Sequence, residues 1–205
     1  MELIRKYFPG LSEKQEQQFV LLLKDLPGLN AGVNVVSRKD IDHLEERHLL
    51  HSMAIARYFS FTRGQQIIDA GTGGGFPGLP LAVLFPEARF LLVDSIGKKI
   101  RLVQQLIESM GLENVKAKQC RVEEANHRAH FVVTRAVAAL PRLDQWTRKL
   151  ILSPEEAQEG GLIALKGGDL EEELRPFRNR IVTHPLSECF EESFFSTKTV
   201  VYLKK

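Results

Sequence analysis

Asp69-Ala70-Gly71-Thr72-Gly73-Gly74-Gly75-Phe76-Pro77-Gly78 puts four glycines into five positions directly after an acidic residue. Glycine takes positive φ and lets backbone approach a bound molecule, so this run exceeds what a turn needs and reads as a binding loop. Gly73-x-Gly75-x-x-Gly78 formally satisfies the dinucleotide fingerprint. Two details oppose a pyrophosphate there. Pro77 and Pro80 remove amide donors from the start of the following helix, and Asp69 sets a carboxylate at the end of the preceding strand. That carboxylate suits a ligand with a positively charged amine or sulfonium, as S-adenosylmethionine has. Asp94 ends the next apolar run and is placed to accept hydrogen bonds from both hydroxyls of a ribose.

Other chemistries are thinly represented. The chain has no Gly-x-x-x-x-Gly-Lys-[Ser/Thr] phosphate loop, no Gly-x-Ser-x-Gly nucleophile elbow and no Asn/Asp-Pro-Pro-Tyr/Phe tetrapeptide; Thr134-Arg135-Ala136 stands at the end of the fourth strand. Cys120 and Cys189 are far apart, outside any metal or redox spacing and without a preceding proline, which argues against covalent attack on a pyrimidine ring. His43, His48 and His51 cluster in sequence without a further ligand pair, so no metal site is expected. The sequence has 28 Lys and Arg against 26 Asp and Glu, a net +2 that leaves any nucleic-acid contact to local clustering. Lys98, Lys99 and Arg101, then Arg135, Arg142, Arg148, Lys149 and Lys166, are the candidates for such a rim, while Trp146 is expected in the core. No apolar stretch reaches membrane-spanning length and the first residues lack a secretory pattern, so a soluble cytoplasmic protein is expected.

The elements that must position these residues follow from periodicity. Residues 1–60 read as a helical amino-terminal cap, and 61–205 as a domain in which strands alternate with helices. Ser12-Glu13-Lys14-Gln15 is a capping box, and Phe19, Leu22, Leu23 and Leu26 repeat at helical spacing until Pro27-Gly28, where the helix is expected to end. A second, longer helix is expected from Ile41 to Phe59. Strands are expected at 66–69, 89–94, 114–119, 131–134 and 161–166, with helices between most of them; strands at 180–183 and 198–203 lack a long helix between them and predict an antiparallel edge pair. The sum is a doubly wound α/β sheet, mostly parallel, with the glycine loop beyond the carboxyl end of its first strand.

The same segments carry a resemblance. Asp69 to Gly78, Leu92-Val93-Asp94-Ser95-Ile96-Gly97-Lys98-Lys99, Arg121-Val122-Glu123-Glu124, Thr134 to Leu140 and Leu165-Lys166-Gly167, together with Asn34-Val35-Val36-Ser37 and Glu46-Arg47-His48, resemble the RsmG (GidB) family in order and over nearly the whole chain. These are bacterial 16S rRNA guanine-N7 methyltransferases. The resemblance implies a Rossmann-like class I methyltransferase sheet and S-adenosylmethionine as cofactor. It implies 16S rRNA in the small ribosomal subunit as partner, and favours a monomer. It puts cofactor positions on Gly71, Phe76, Val122, Glu123 and Arg135, to which the residues themselves add Asp69, Gly73 and Asp94. Arg135, beside the transfer site, is the catalytic candidate. Two departures stand out: Gly74 replaces a loop proline frequent in the family, and His51 stands where the family pattern has aspartate. The competing readings are a catalytically inactive RNA-binding or ribosome-assembly factor and a nucleotide-cofactor oxidoreductase.

Overall fold

Alternating apolar residues in short strands decide how the sheet is covered. In the computed structural model, which describes residues 1–205, β1 (Gln66–Ala70), β2 (Arg89–Asp94), β3 (Val115–Gln119), β4 (Phe131–Arg135), β5 (Gly161–Gly167), β6 (Ile181–Pro185) and β7 (Lys198–Lys204) form one sheet. Its order is β3-β2-β1-β4-β5-β7-β6. β1 to β5 pair in parallel, whereas β7 lies antiparallel between β5 and β6, as the lack of a long helix between the last two strands predicts. Ile67, Phe131, Val133 and Ile163 face one core and Ile68, Val132, Leu162 and Ala164 the other, so both faces are buried.

Helices α1 (Glu2–Tyr7), α2 (Glu13–Asn30), α3 (Gly78–Leu84) and α4 (Gly97–Ser109) build the first core; α5 (Leu140–Thr147) covers the second face. Because the chain winds outward from β1 to β3 on one side and from β4 to β5 on the other, the connections diverge between β1 and β4. That switch point opens a crevice at the carboxyl ends of the strands.

The amino-terminal residues depart from expectation twice. α2 starts as its capping box dictates, with the Ser12 hydroxyl accepting from the Gln15 amide and the Gln15 side chain accepting from the Ser12 amide, but it runs through Pro27 to Asn30. Burial of Leu26 and Asn30 holds the last turn together, and the Asn30 side chain donates to the Val36 carbonyl (2.9 Å) while accepting from the amides of Val35 and Val36. Residues 41–57 are not one amphipathic helix. A 3-10 turn (Ile41–His43) leads into a π-helix (Leu44–Leu50), one α turn (His51–Met53) and a second 3-10 turn (Ala54–Arg57). Leu49 through Ile55 are buried without interruption, which leaves no polar face for a regular surface helix. This segment packs in the same core as Ile4, Phe19 and the sheet. Phe19 and Leu22 are wholly buried there, so truncating either to alanine costs about 2–5 kcal/mol. Tyr7 reaches the far end of the chain: its hydroxyl donates to the Glu192 carboxylate (2.9 Å), its ring meets Phe190 edge-on, and neighbouring Lys6 pairs with Glu191.

Candidate active site

The crevice holds about 940 Å³ between the carboxyl ends of β1, β2, β4 and β5 below and residues 35–51 above. A groove of about 870 Å³ lies at the opposite strand ends, among Gln66, Arg89, Lys116 and Asn114, away from the glycine loop.

The loop after β1 turns back on itself because its own side chains tie it. Gly71 has φ +72° and a Cβ there would lie 2.6 Å from the Val137 side chain, so only glycine fits. The amides of Gly71 and Thr72 both donate to the Val93 carbonyl at 2.9 Å. Asp69 is fully buried beneath the loop and does not line the crevice. One of its oxygens accepts from the Thr72 hydroxyl (2.6 Å) and the Gly78 amide (2.8 Å); the other has no partner. Burial pushes its acid up to about 7, against the pull of those two hydrogen bonds and of Arg135. Asp69 therefore shapes the cradle from behind, whereas Gly71, Thr72, Gly73 and Gly74 present its surface.

Asp94 does line the crevice. Its Oδ2 accepts from the Gly73 amide (3.1 Å), its Oδ1 from the Ile96 amide (2.9 Å), and Lys99 Nζ stands 3.8 Å away. Each carboxylate oxygen keeps further lone pairs for a ligand hydroxyl. Val122 and Glu123, on the 3-10 turn Val122–Glu124 after β3, close this end, with Glu123 3.8 Å from Arg121. The structure thus brings Gly71, Gly73, Phe76, Asp94, Val122, Glu123 and Arg135 onto one wall system.

Arg135 occupies the other end and is turned inward. Its guanidinium donates to the Arg47 carbonyl (3.1 Å) and to His48 Nδ1 (2.8 Å), and its charge lies 5.0 Å from the centre of the Phe76 ring. Burial draws its pKa down to about 10, opposed by Asp69 and Asp40. His48 leans on Phe76 at 5.4 Å. Burial first and the Arg135 charge second hold His48 neutral, with its pKa down to about 3. His51 is buried against Phe194 and Phe195 and is likewise pushed well below its usual range, chiefly by burial. No group of three His, Cys, Asp or Glu side chains is arranged to hold a metal ion.

The proposed basic rim divides. Lys98, Arg101, Arg142, Arg148 and Lys149 are exposed, although Arg148 is paired with Asp144. Lys166 is tied down, donating to the Ala138 carbonyl and to Glu173 at 2.6 Å, which also accepts from the Leu140 amide. Trp146 is a correction: it is half-buried at the crevice mouth under the Arg142 guanidinium, not in the core, because α5 is short and ends beside the opening. Asp40, Phe194 and Lys198, none of them a candidate from the sequence, also line the crevice. The signal for Lys198 was the antiparallel edge pair, since that orientation sets the start of β7 beside Gly167 at the end of β5.

Comparison with known proteins agrees with this architecture. A family model described as GidB, rRNA small subunit methyltransferase G, matches residues 15–199. Proteins called ribosomal RNA small subunit methyltransferase G from Porphyromonas gingivalis and Bacteroides thetaiotaomicron are 50% and 52% identical, each over 98% of this chain and over 92% and 98% of their own lengths. Among solved structures, a SAM-dependent O-methyltransferase from Thermotoga maritima superposes with TM-score 0.57 at 18% identity, covering 81% of this chain and 69% of its own. A SAM-dependent methyltransferase from Aquifex aeolicus gives 0.55 at 14%, over 82% and 98%. These two share the fold.

Proposed function

Because the chain belongs to the GidB family, the rRNA small subunit methyltransferase G proteins, we propose that its crevice binds S-adenosylmethionine and transfers the methyl group to N7 of a guanine in 16S rRNA of the small ribosomal subunit. The observation that carries this reading is the glycine cradle lying across the switch point with the Asp94 carboxylate beside it. The cradle fits the cofactor in kind: it is closed to any Cβ at Gly71, it offers no free phosphate-binding helix turn, and Asp94 retains acceptor capacity for ribose hydroxyls.

S-adenosylmethionine, when bound, supplies an electrophilic methyl on a sulfonium. The chain's own residues bind and orient. Asp94 takes the ribose, Val122 and Glu123 bound the adenosine end, and Gly71, Gly73 and Phe76 bound the methionine end, with Asp69 bracing the loop from below. Guanine N7 carries a lone pair and no proton, so no general base is required. Alignment is then the main contribution, a source of up to about 7–11 kcal/mol in well-oriented reactions. Arg135 serves it by fixing Phe76 and His48 together. Of the large exposed apolar residues, Ile96 and Val137 line the crevice while Val20 and Val182 lie away from it, which leaves no broad apolar patch outside the site and supports a monomer; no helix is long and apolar enough to cross a membrane.

Tritium transfer from labelled S-adenosylmethionine to 16S rRNA in small subunits, with N7 methylation mapped by chemical cleavage, tests the reading. Label at one guanine N7, lost in Gly71→Asp and in Asp94→Ala, is the expected result. RNA binding without cofactor binding or transfer would instead make the chain an assembly factor.

A further inference from the structure

We propose that His48 is a specificity-determining residue that reads the target base, its Nε2–H donating to O6 of the guanine whose N7 accepts the methyl group. This rests on the methyltransferase reading and adds to it the means by which guanine is told from adenine.

The tautomer of His48 is fixed by its neighbour. An arginine guanidinium has donors only, so the 2.8 Å contact from Arg135 to His48 Nδ1 requires Nδ1 to be the acceptor. The ring proton then resides on Nε2. Burial first and the adjacent Arg135 second hold a second proton off the ring, with its pKa down to about 3. Nε2 makes no hydrogen bond within the protein and is not among the three buried side-chain atoms that lack one, which are Arg47 Nε, His51 Nε2 and Asp69 Oδ1. It is an open donor on the crevice wall, where the glycine loop, through Phe76, meets the end of β4.

The geometry of the base supplies the match. N7 and O6 of guanine lie on one edge and are both acceptors, whereas adenine presents an amino donor where guanine has O6. Any enzyme that brings N7 to the methyl group must face that edge, and so must meet O6. A donor whose second nitrogen is held by Arg135 cannot switch to accept from an adenine amino group. A neutral donor also suits the charge change. The N7 lone pair forms the new bond to carbon, the sulfur–methyl bond breaks with its electron pair staying on sulfur, and the positive charge passes to the base without any proton moving. A lysine at this position would oppose that charge; a neutral imidazole does not.

The test uses small subunits in which the guanine labelled by the wild-type enzyme is replaced by 2-aminopurine, which keeps N7 and lacks O6. Wild-type transfer should fall about tenfold on that substrate, the worth of one well-made hydrogen bond. His48→Asn places an acceptor where Nδ1 was and removes the donor, so transfer to guanine should fall about tenfold and 2-aminopurine should cause no further loss. His48→Gln, with an amide nitrogen near the Nε2 position, should restore the preference. Calorimetry with S-adenosylhomocysteine should show cofactor affinity within about twofold of wild type for His48→Asn. Equal transfer to both bases by wild type, undiminished discrimination in His48→Asn, or a fall in cofactor affinity that accounts for the loss would each overturn the proposal. If His48→Asn does not fold, the wild-type and His48→Gln ratios decide it. Absence of transfer by wild type to any RNA would remove the methyltransferase reading itself and this inference with it.

Discussion

The crevice has two halves that are held in shape by different means. Around β1 and β2 the loops are tied by their own carboxylates: Asp69 to Thr72 and Gly78, Asp94 to Gly73 and Ile96, with partners no more than 21 residues apart. Across the opening, the wall formed by residues 40–51 is tied to the sheet at the crevice by Arg135, which bonds to Arg47 and His48 from 88 and 87 positions away. A locally braced wall changes its ligand contacts without losing its form, whereas a wall braced at long range is weakened when such a strut goes. Both halves mix charges: Asp94 and Glu123 stand beside Lys99 and Arg121, and Arg47, Arg135, Lys166 and Lys198 share the other half with Asp40, Asp169 and Glu173.

Removing the strut should be the harshest break. Arg135→Ala strands a buried carbonyl and a buried imidazole nitrogen and should cost about 3–4 kcal/mol of stability in urea titration. Arg135→Lys keeps charge but cannot bridge both acceptors, so it should recover only part of it. Asp94→Ala should leave the fold near wild type and weaken S-adenosylhomocysteine by about 2–3 kcal/mol in calorimetry, with RNA affinity unchanged. A parallel loss of RNA affinity would erase the distinction between the halves.

Protons act on the two halves with opposite sign. His48 is held neutral in the fold but titrates near 6.5 when unfolded, so the unfolded chain binds the extra proton below that pH. Its contribution is complete above about 6.5 and drains away as pH falls toward 3. Asp69, raised to about 7 from 3.8, does the reverse: the fold holds its proton between those values, and the benefit disappears as pH rises through 7. Between pH 7 and 5 the wild type should therefore lose about 2 kcal/mol more than His48→Asn, measured by urea denaturation at both pH values. The smallest effects belong to exposed cations. Lys98→Ala and Arg101→Ala should each lower the slope of log affinity against log salt for RNA by about 1 if each meets a phosphate.

The contrast also explains which parts could be read from sequence. The glycine loop, Asp94 and the strands around them were legible because local rules produce them: apolar runs of strand length, glycines where backbone must turn, an acid at a strand end. Asp69 was legible as important but not as to direction, since nothing in the sequence says whether a carboxylate at a strand end faces the ligand or braces the loop. Residues 41–57 misled because their apolar positions fit a helical stripe, whereas burial from all sides imposes π and 3-10 turns. Pro27 misled for a related reason, since Leu26 and Asn30 are held by tertiary contacts that a local breaker signal does not register. The partnership of Arg135 with His48 was beyond any local rule.

The clasp between Tyr7 and residues 190–192 bears on how the molecule is made. A ribosome delivers Tyr7 early and Phe190, Glu191 and Glu192 only after almost every strand has emerged, and Phe195 of the same turn shares the core with Ile4 and Leu50. These contacts of the amino-terminal segment can therefore form only when synthesis is nearly over. Contacts that span 184 residues are of the kind that slow folding. The clasp over the amino-terminal helix would then be among the last parts of this fold to close.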